Sequence, residues 1–183
     1  MIDGGPGADP RGRLDAWLVT DGDAELIAAV RRLARRRQVV PRVAAFRRPG
    51  LNIVPRRVIH TNHRTYGYRI EAGSRIVVWA PEFLVFPSWA RGADLMFAEA
   101  AGWGRPIRFA RGVGGHLDAL SVARAARAHG VRRLVFAHIG RPTLRALDRG
   151  EKPSFGEFAV DGQCFIVASS RGQSPQLLPA PGR

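Results

Sequence analysis

Asp21, Asp23 and Glu25 alternate along Thr20-Asp21-Gly22-Asp23-Ala24-Glu25-Leu26, and further on His60, Glu82, His116 and His138 stand where an apolar run ends or a helix should begin. Carboxylates and imidazoles carry protons near neutrality and hold divalent cations. In α/β proteins such groups gather in the loops at strand ends. Cys164 is the single cysteine, which excludes an internal disulfide and a cysteine-rich zinc site, so any cation would rest on His and carboxylate donors. The sequence contains neither a P-loop nor a Ser-nucleophile elbow. The D-x-D-x-E run also has a plainer explanation, because acidic residues cap helix N-termini and favour the positive end of the helix dipole.

The elements that must position these groups follow from the apolar pattern. Met1 to Arg13 is Gly- and Pro-rich and reads as loop, and Leu14 to Thr20 is a short apolar run of buried-strand length. From Ala24 the residues Leu26, Ile27, Val30, Leu33 and Ala34 recur at helical spacing, with Asp21 or Asp23 as N-cap. Strands are expected at Val39 to Phe46, Ile53 to Ile59, Tyr66 to Glu71, Arg75 to Ala80, Ala93 to Glu99 and Arg133 to Ala137. A helix is expected from Leu117 to His129, closed by Gly130, with His129 as a partner of its negative end. A last strand pair, Glu157 to Val160 and Cys164 to Ala168, would turn at Asp161-Gly162. Strands and helices alternate, so the class is α/β, in a single domain over residues 1–168 followed by a disordered Pro/Gly/Ser-rich tail, 169–183.

The 183 residues carry a formal charge of +14 with 45% apolar residues, a globular composition with a strong basic bias. Arg31, Arg32, Arg35, Arg36 and Arg37, then Arg42, Arg47, Arg48, Arg56 and Arg57, concentrate that charge in one short stretch. This is either a surface for a polyanion or a solvated helix face with its following loop. Arginine in an Ala-, Gly- and Pro-rich background is also what GC-rich coding produces. No apolar run approaches the roughly 18 residues of a membrane span, and the start lacks the regions of a signal peptide, so a cytoplasmic protein with no membrane role is expected.

The segments LDAWLVTDGDAELIAAV, VIHTNHRTYGYRIE, IVVWAPEF, GGHLDALSVARAARAHGVRRLVFAHIGRPT and DGQCFIV, taken in order, resemble the metallo-β-lactamase superfamily of metal-dependent hydrolases. The match is to its phosphodiesterase-like branch, which includes tRNA 3′-end processing endonucleases and small cyclic phosphodiesterases. The resemblance implies an αββα sandwich. An N-terminal strand hairpin normally precedes the segment that Met1-Ile2-Asp3-Gly4-Gly5 resembles, so it also implies a domain lacking its N-terminal strands. Such an edge must be covered by a second copy, as in a homodimer, or by the protein's own loops.

That family places a T-H-x-H-x-D-H signature after a strand, and here every ligand position of it differs: Asp21 and Asp23 replace the early histidines, Glu25 the aspartate, and Leu26 the last histidine. The resemblance implies further ligands at His60, Glu82 and His138, and gives His116 the role of contacting the scissile phosphate or assisting the leaving group, just before a helix whose N-terminal amides favour anions. His63 is the alternative to His60 if the loop register slips. On this reading Asp21, Asp23, Glu25, His60, Glu82 and His138 hold a divalent cation, zinc, manganese or magnesium, and Asp23 and His116 take part in catalysis on an anionic small-molecule or nucleic-acid substrate. The competing reading is a catalytically degenerate member that keeps the fold for binding or assembly.

Overall fold

The computed structural model describes residues 1–4 and 12–167. It is a mixed α/β fold with one seven-stranded sheet and three helices. Five segments build the first half: α1 (Ala28–Arg36), β1 (Phe46–Arg48), β2 (Leu51–Val58), β3 (Thr65–Ala72) and β4 (Arg75–Ala80). β1 to β4 form an antiparallel meander. The β3–β4 hairpin closes through Gly73-Ser74, where Gly73 has φ +58, a backbone state that a side chain would strain. Pro55 is tolerated in β2 because it lies beyond the end of β1, where its missing N–H breaks no ladder.

The second half comprises β5 (Leu95–Ala100), β6 (Ile107–Arg108), β7 (Gly115–His116), α2 (Ala119–Ala128), β8 (Leu134–Ile139), α3 (Arg141–Asp148) and β9 (Glu157–Phe158). β4, β5, β8 and β9 are parallel neighbours, and β6 and β7 make a separate small ribbon. Parallel strands are covered on both faces, which is why 76–80, 95–98 and 134–136 read as unbroken apolar runs. α2 turns Ala119, Val122, Ala123 and Ala126, spaced for one helical face, into a core shared with Val78, Met96, Ala98, Leu134 and Phe136. A smaller core joins Trp17 and Val19 to Val30, Leu33 and Ala34 of α1.

Several sequence expectations change. Leu14 to Thr20 forms no ladder. Leu18 only bridges singly to Ile2 and to Arg42, so the second sheet of the sandwich is reduced, among the described residues, to extended segments. Val39 to Phe46 is likewise extended, with only Phe46 in a strand. α1 starts at Ala28 and not at Ala24, its N-cap is Ile27, and neither Asp21 nor Asp23 caps it. The Asp21 carboxylate is already committed to the turn before it, accepting from the backbone N–H of Asp23 (2.8 Å) and of Ala24 (2.9 Å). α3 was not anticipated; Thr143, buried in it, donates to the carbonyls of Ala100 and Gly102 and so ties the helix to the end of β5. Residues 164–167 form no strand, and Ala168 with the tail 169–183 lies outside the described residues. No described helix is long and apolar enough to cross a membrane.

Candidate active site

The topology alone collects the polar outliers. β2, β4, β5 and β8 all run in one direction, so their C-terminal ends lie along one edge of the sheet, and β3 begins there. His60 and Glu82 follow β2 and β4, Glu99 and His138 are near the ends of β5 and β8, and His63 precedes β3. Asp21 reaches the same edge through a bridge to Thr65.

His60 is buried and fixed from both sides by the first residue of β7. Its Nδ1 lies 3.0 Å from the Gly115 carbonyl, which can only accept, so Nδ1 carries the proton and Nε2 presents its lone pair. In return the Gly115 N–H donates to the His60 carbonyl at 2.7 Å. A side chain at Gly114 would place its Cβ 1.9 Å from that same carbonyl oxygen, so this approach requires glycine. Glu82 lies between two histidines: one carboxylate oxygen is 3.5 Å from His60 Nε2, the other 3.5 Å from His138 Nε2. These separations are too long for hydrogen bonds. They match two donors on one cation, since ligands about 2.1 Å from a tetrahedral metal stand about 3.4 Å apart. Each pair, taken by itself, is therefore spaced as two ligands of a divalent cation would be.

His116 stacks on His138, with ring centroids 5.2 Å apart and planes 11° from parallel, and its ring centroid is 4.6 Å from that of His60. Its Nδ1 donates to Glu99 Oε2 at 2.8 Å. Glu99 is fully buried, and its carboxylate accepts from two further donors, the N–H groups of Phe83 (3.1 Å) and Ala101 (2.8 Å). Glu99, His116 and His138 lie close enough to chelate, and three of the acceptor positions of Glu99 are taken by hydrogen bonds, one of which anchors His116. Burial works to lower the pKa of His116, but the hydrogen bond and charge of Glu99, with the charge of Glu82, outweigh it and leave the pKa raised. The helix dipole contributes little here. The N-terminus of α2 is occupied by Asp118, which accepts from Ser121 N–H, while Ala119 and Leu120 donate to Gly102 and Trp103 carbonyls, so no free amides await an anion. His129 caps the other end of α2, its ring nitrogen 2.8 Å from the Ala125 carbonyl.

The acidic half of the site is organised differently. Asp21 is buried, with its Oδ2 3.0 Å from His63 Nδ1, and the donor atoms of Asp21, Asp23 and His63 lie within 4.8 Å of one another. His63 thus joins the site beside His60 and does not replace it. Asp23 itself is exposed. Asp3 accepts from Thr20 N–H (2.7 Å) and Trp79 Nε1 (2.6 Å), and burial pushes its pKa up despite these bonds. Burial, then the charges of Asp3, Glu82 and Asp21, raise Glu25 to about 7. Leu26 packs into the small core against α1 and contributes no donor.

The sequence reading missed Asp3 and Glu99 as site residues. For Glu99 a signal existed: a lone carboxylate within the apolar run 95–101 must find partners if the strand is buried.

A large sheet with imidazoles and carboxylates gathered along the ends of its like-directed strands defines a class of metal-binding α/β folds. Among solved structures the chain is similar to YhfI from Bacillus subtilis, a metallo-β-lactamase fold protein, at 19% identity and a TM-score of 0.63, over 90% of this chain and 84% of that one. It is also similar to a diphosphatase of the PhnP family, at 19% identity and a TM-score of 0.54, over 82% of this chain and 70% of that one. The chain has the metallo-β-lactamase fold. No protein-family model and no curated protein matches it.

Proposed function

We propose that the protein is a metal-dependent hydrolase of a phosphodiester or related anionic ester. The observation that carries this reading is Glu82, which offers one oxygen to the neighbourhood of His60 and the other to that of His138, each 3.5 Å away. His60, Glu82 and His138 would hold the cation, with Asp21 and His63 supplying donors on the acidic side. When bound, a divalent cation polarises a phosphoryl oxygen and acidifies a water. His60 is oriented for that task by the Gly115 carbonyl. His116, its Nδ1 held by Glu99, keeps Nε2 for the substrate, and its raised pKa favours the protonated form that can donate to a leaving oxygen. The diphosphatase among the structural neighbours supports a phosphorus-containing ester as substrate.

Two observations favour the second reading, a degenerate member with a binding or scaffold role. Leu26, which packs partly buried against the small core, stands at a position where the resemblance implies a ligand, and Glu25, with its pKa near 7, relieves by protonation a carboxylate crowding that a full metal complement would otherwise neutralise. Metal stoichiometry separates the two. Plasma mass spectrometry on untagged protein grown with zinc, manganese and iron should find about one or two metals per chain. Glu82→Ala and His138→Ala should lose them. A folded protein without metal above background overturns the hydrolase reading.

A further inference from the structure

Nearly all of the net charge of +14 resides in one part of the chain: between Ala28 and Ile70 there are twelve arginines and no Asp or Glu. A coding bias toward arginine would spread it evenly, so this segregation needs another cause. The densest part is α1, whose buried face is Val30, Leu33 and Ala34 and whose exposed face carries Arg31, Arg32, Arg35 and Arg36. Arg31 and Arg35, like Arg32 and Arg36, are four residues apart, so like charges stack about 6 Å apart along the axis. Such pairs destabilise an isolated helix. The helix dipole accounts only for Arg35 and Arg36, in the last turn. Arg31 is held by a bond from its Nε to the Leu26 carbonyl, and among the described residues none of the four meets a carboxylate. Between Arg32 and Arg36, with Ala29 and Leu33 as floor, lies a recess of about 250 Å³.

We infer that the exposed face of α1 is a docking surface for the phosphodiester backbone of a nucleic acid. Guanidinium forks match phosphate oxygens in pairs, and a row of uncompensated charges is complementary to a repeating anion. An anionic membrane fits less well, because a helix lying in the interface needs its apolar side free and that of α1 is buried in the fold.

The test is fluorescence anisotropy of a labelled 20-nucleotide single-stranded RNA with the whole protein across a salt series. EDTA is present, so that the result does not depend on whether the metal site hydrolyses anything. Neutralising the face in R31Q/R32Q/R35Q/R36Q should weaken binding at least tenfold and reduce the slope of log affinity against log salt by about 3. Two controls keep the test decisive. R91Q/R105Q/R127Q/R145Q removes the same charge from scattered exposed positions outside the segment and should change affinity less than threefold. The fourfold Arg→Lys variant of α1 keeps the charge and should retain most of the binding. No RNA binding by the wild type, equal loss in the two glutamine variants, or α1-dependent sedimentation with phosphatidylserine vesicles without RNA binding would each overturn the inference.

Discussion

The two halves of the site are built on opposite principles. On the imidazole side, from His60 through Glu82 to Glu99 and His138, the groups are placed by the ends of like-directed strands and His116 by β7, and His60 and His116 are also fixed by hydrogen bonds to buried groups. On the acidic side burial, with nearby carboxylate charge added, raises the proton affinity of Asp3 and Glu25, while Asp23 faces solvent. The first side is held rigidly, with the rings of His60 and His116 each oriented by a fixed partner. The second holds like charges whose repulsion is relieved only by a proton or a cation. Most imidazoles thus stand on one side, with His63 alone beside Asp21 on the other, where the carboxylates depend on what neutralises them.

The largest effect that would sharpen this contrast is on the imidazole side. Removing Glu82 or His138 as alanine should lower zinc affinity at least about 100-fold in competition with a chelating dye, because each takes away a direct donor. Next, Glu99→Gln should leave metal content unchanged and cut kcat on bis-p-nitrophenyl phosphate by about 10²–10³. Glu99 helps hold the pKa of His116 up, and an acid must be protonated to act, so the alkaline limb of the pH profile should move to lower pH in this variant. An unmoved limb would remove His116 from the acid role.

A smaller effect is expected across the divide, at Glu25. A carboxyl raised to about 7 in the folded protein favours folding below its unfolded pKa near 4.5, and that contribution is lost as pH rises toward 7. Metal-free Glu25→Gln should therefore match the wild type at pH 4 and exceed it at pH 8. After discounting for its half-exposed setting the gain is on the order of 1 kcal/mol, readable by urea denaturation. Asp23→Ala should do least. Activity should change less than about twofold, since the side chain is exposed and Asp21 anchors the turn through its own carboxylate. A large loss there would show that the acidic side closes around a cation more tightly than its metal-free geometry does.

The central strands were legible because their apolar runs are continuous. Arg75 to Ala80 is predicted and found with the same bounds, and β5, β8 and α2 differ from expectation by a few residues at their ends. The N-terminal region was not legible in the same way. Leu14 to Thr20 has the composition of a strand, yet a strand exists only where a neighbour supplies a ladder, and here Leu18 finds single bridges. Acidic residues ahead of a helical pattern suggest caps, but Asp21 spends its hydrogen bonds on a tighter turn, and α1 starts three residues after Glu25.

By itself the sequence determined which chemistry was available: imidazoles and carboxylates, no thiol cluster, and an arginine segment without counter-charges. It also determined the central strands and α2 through their periodicity. Only the tertiary structure decided which of these groups meet. That Glu99 serves His116, that Glu82 stands between His60 and His138, and that His63 joins Asp21 depends on the common direction of β2, β4, β5 and β8. The physical reason is that a side chain's role is set by partners tens of residues away, and pairing between distant strands leaves no local mark in the chain.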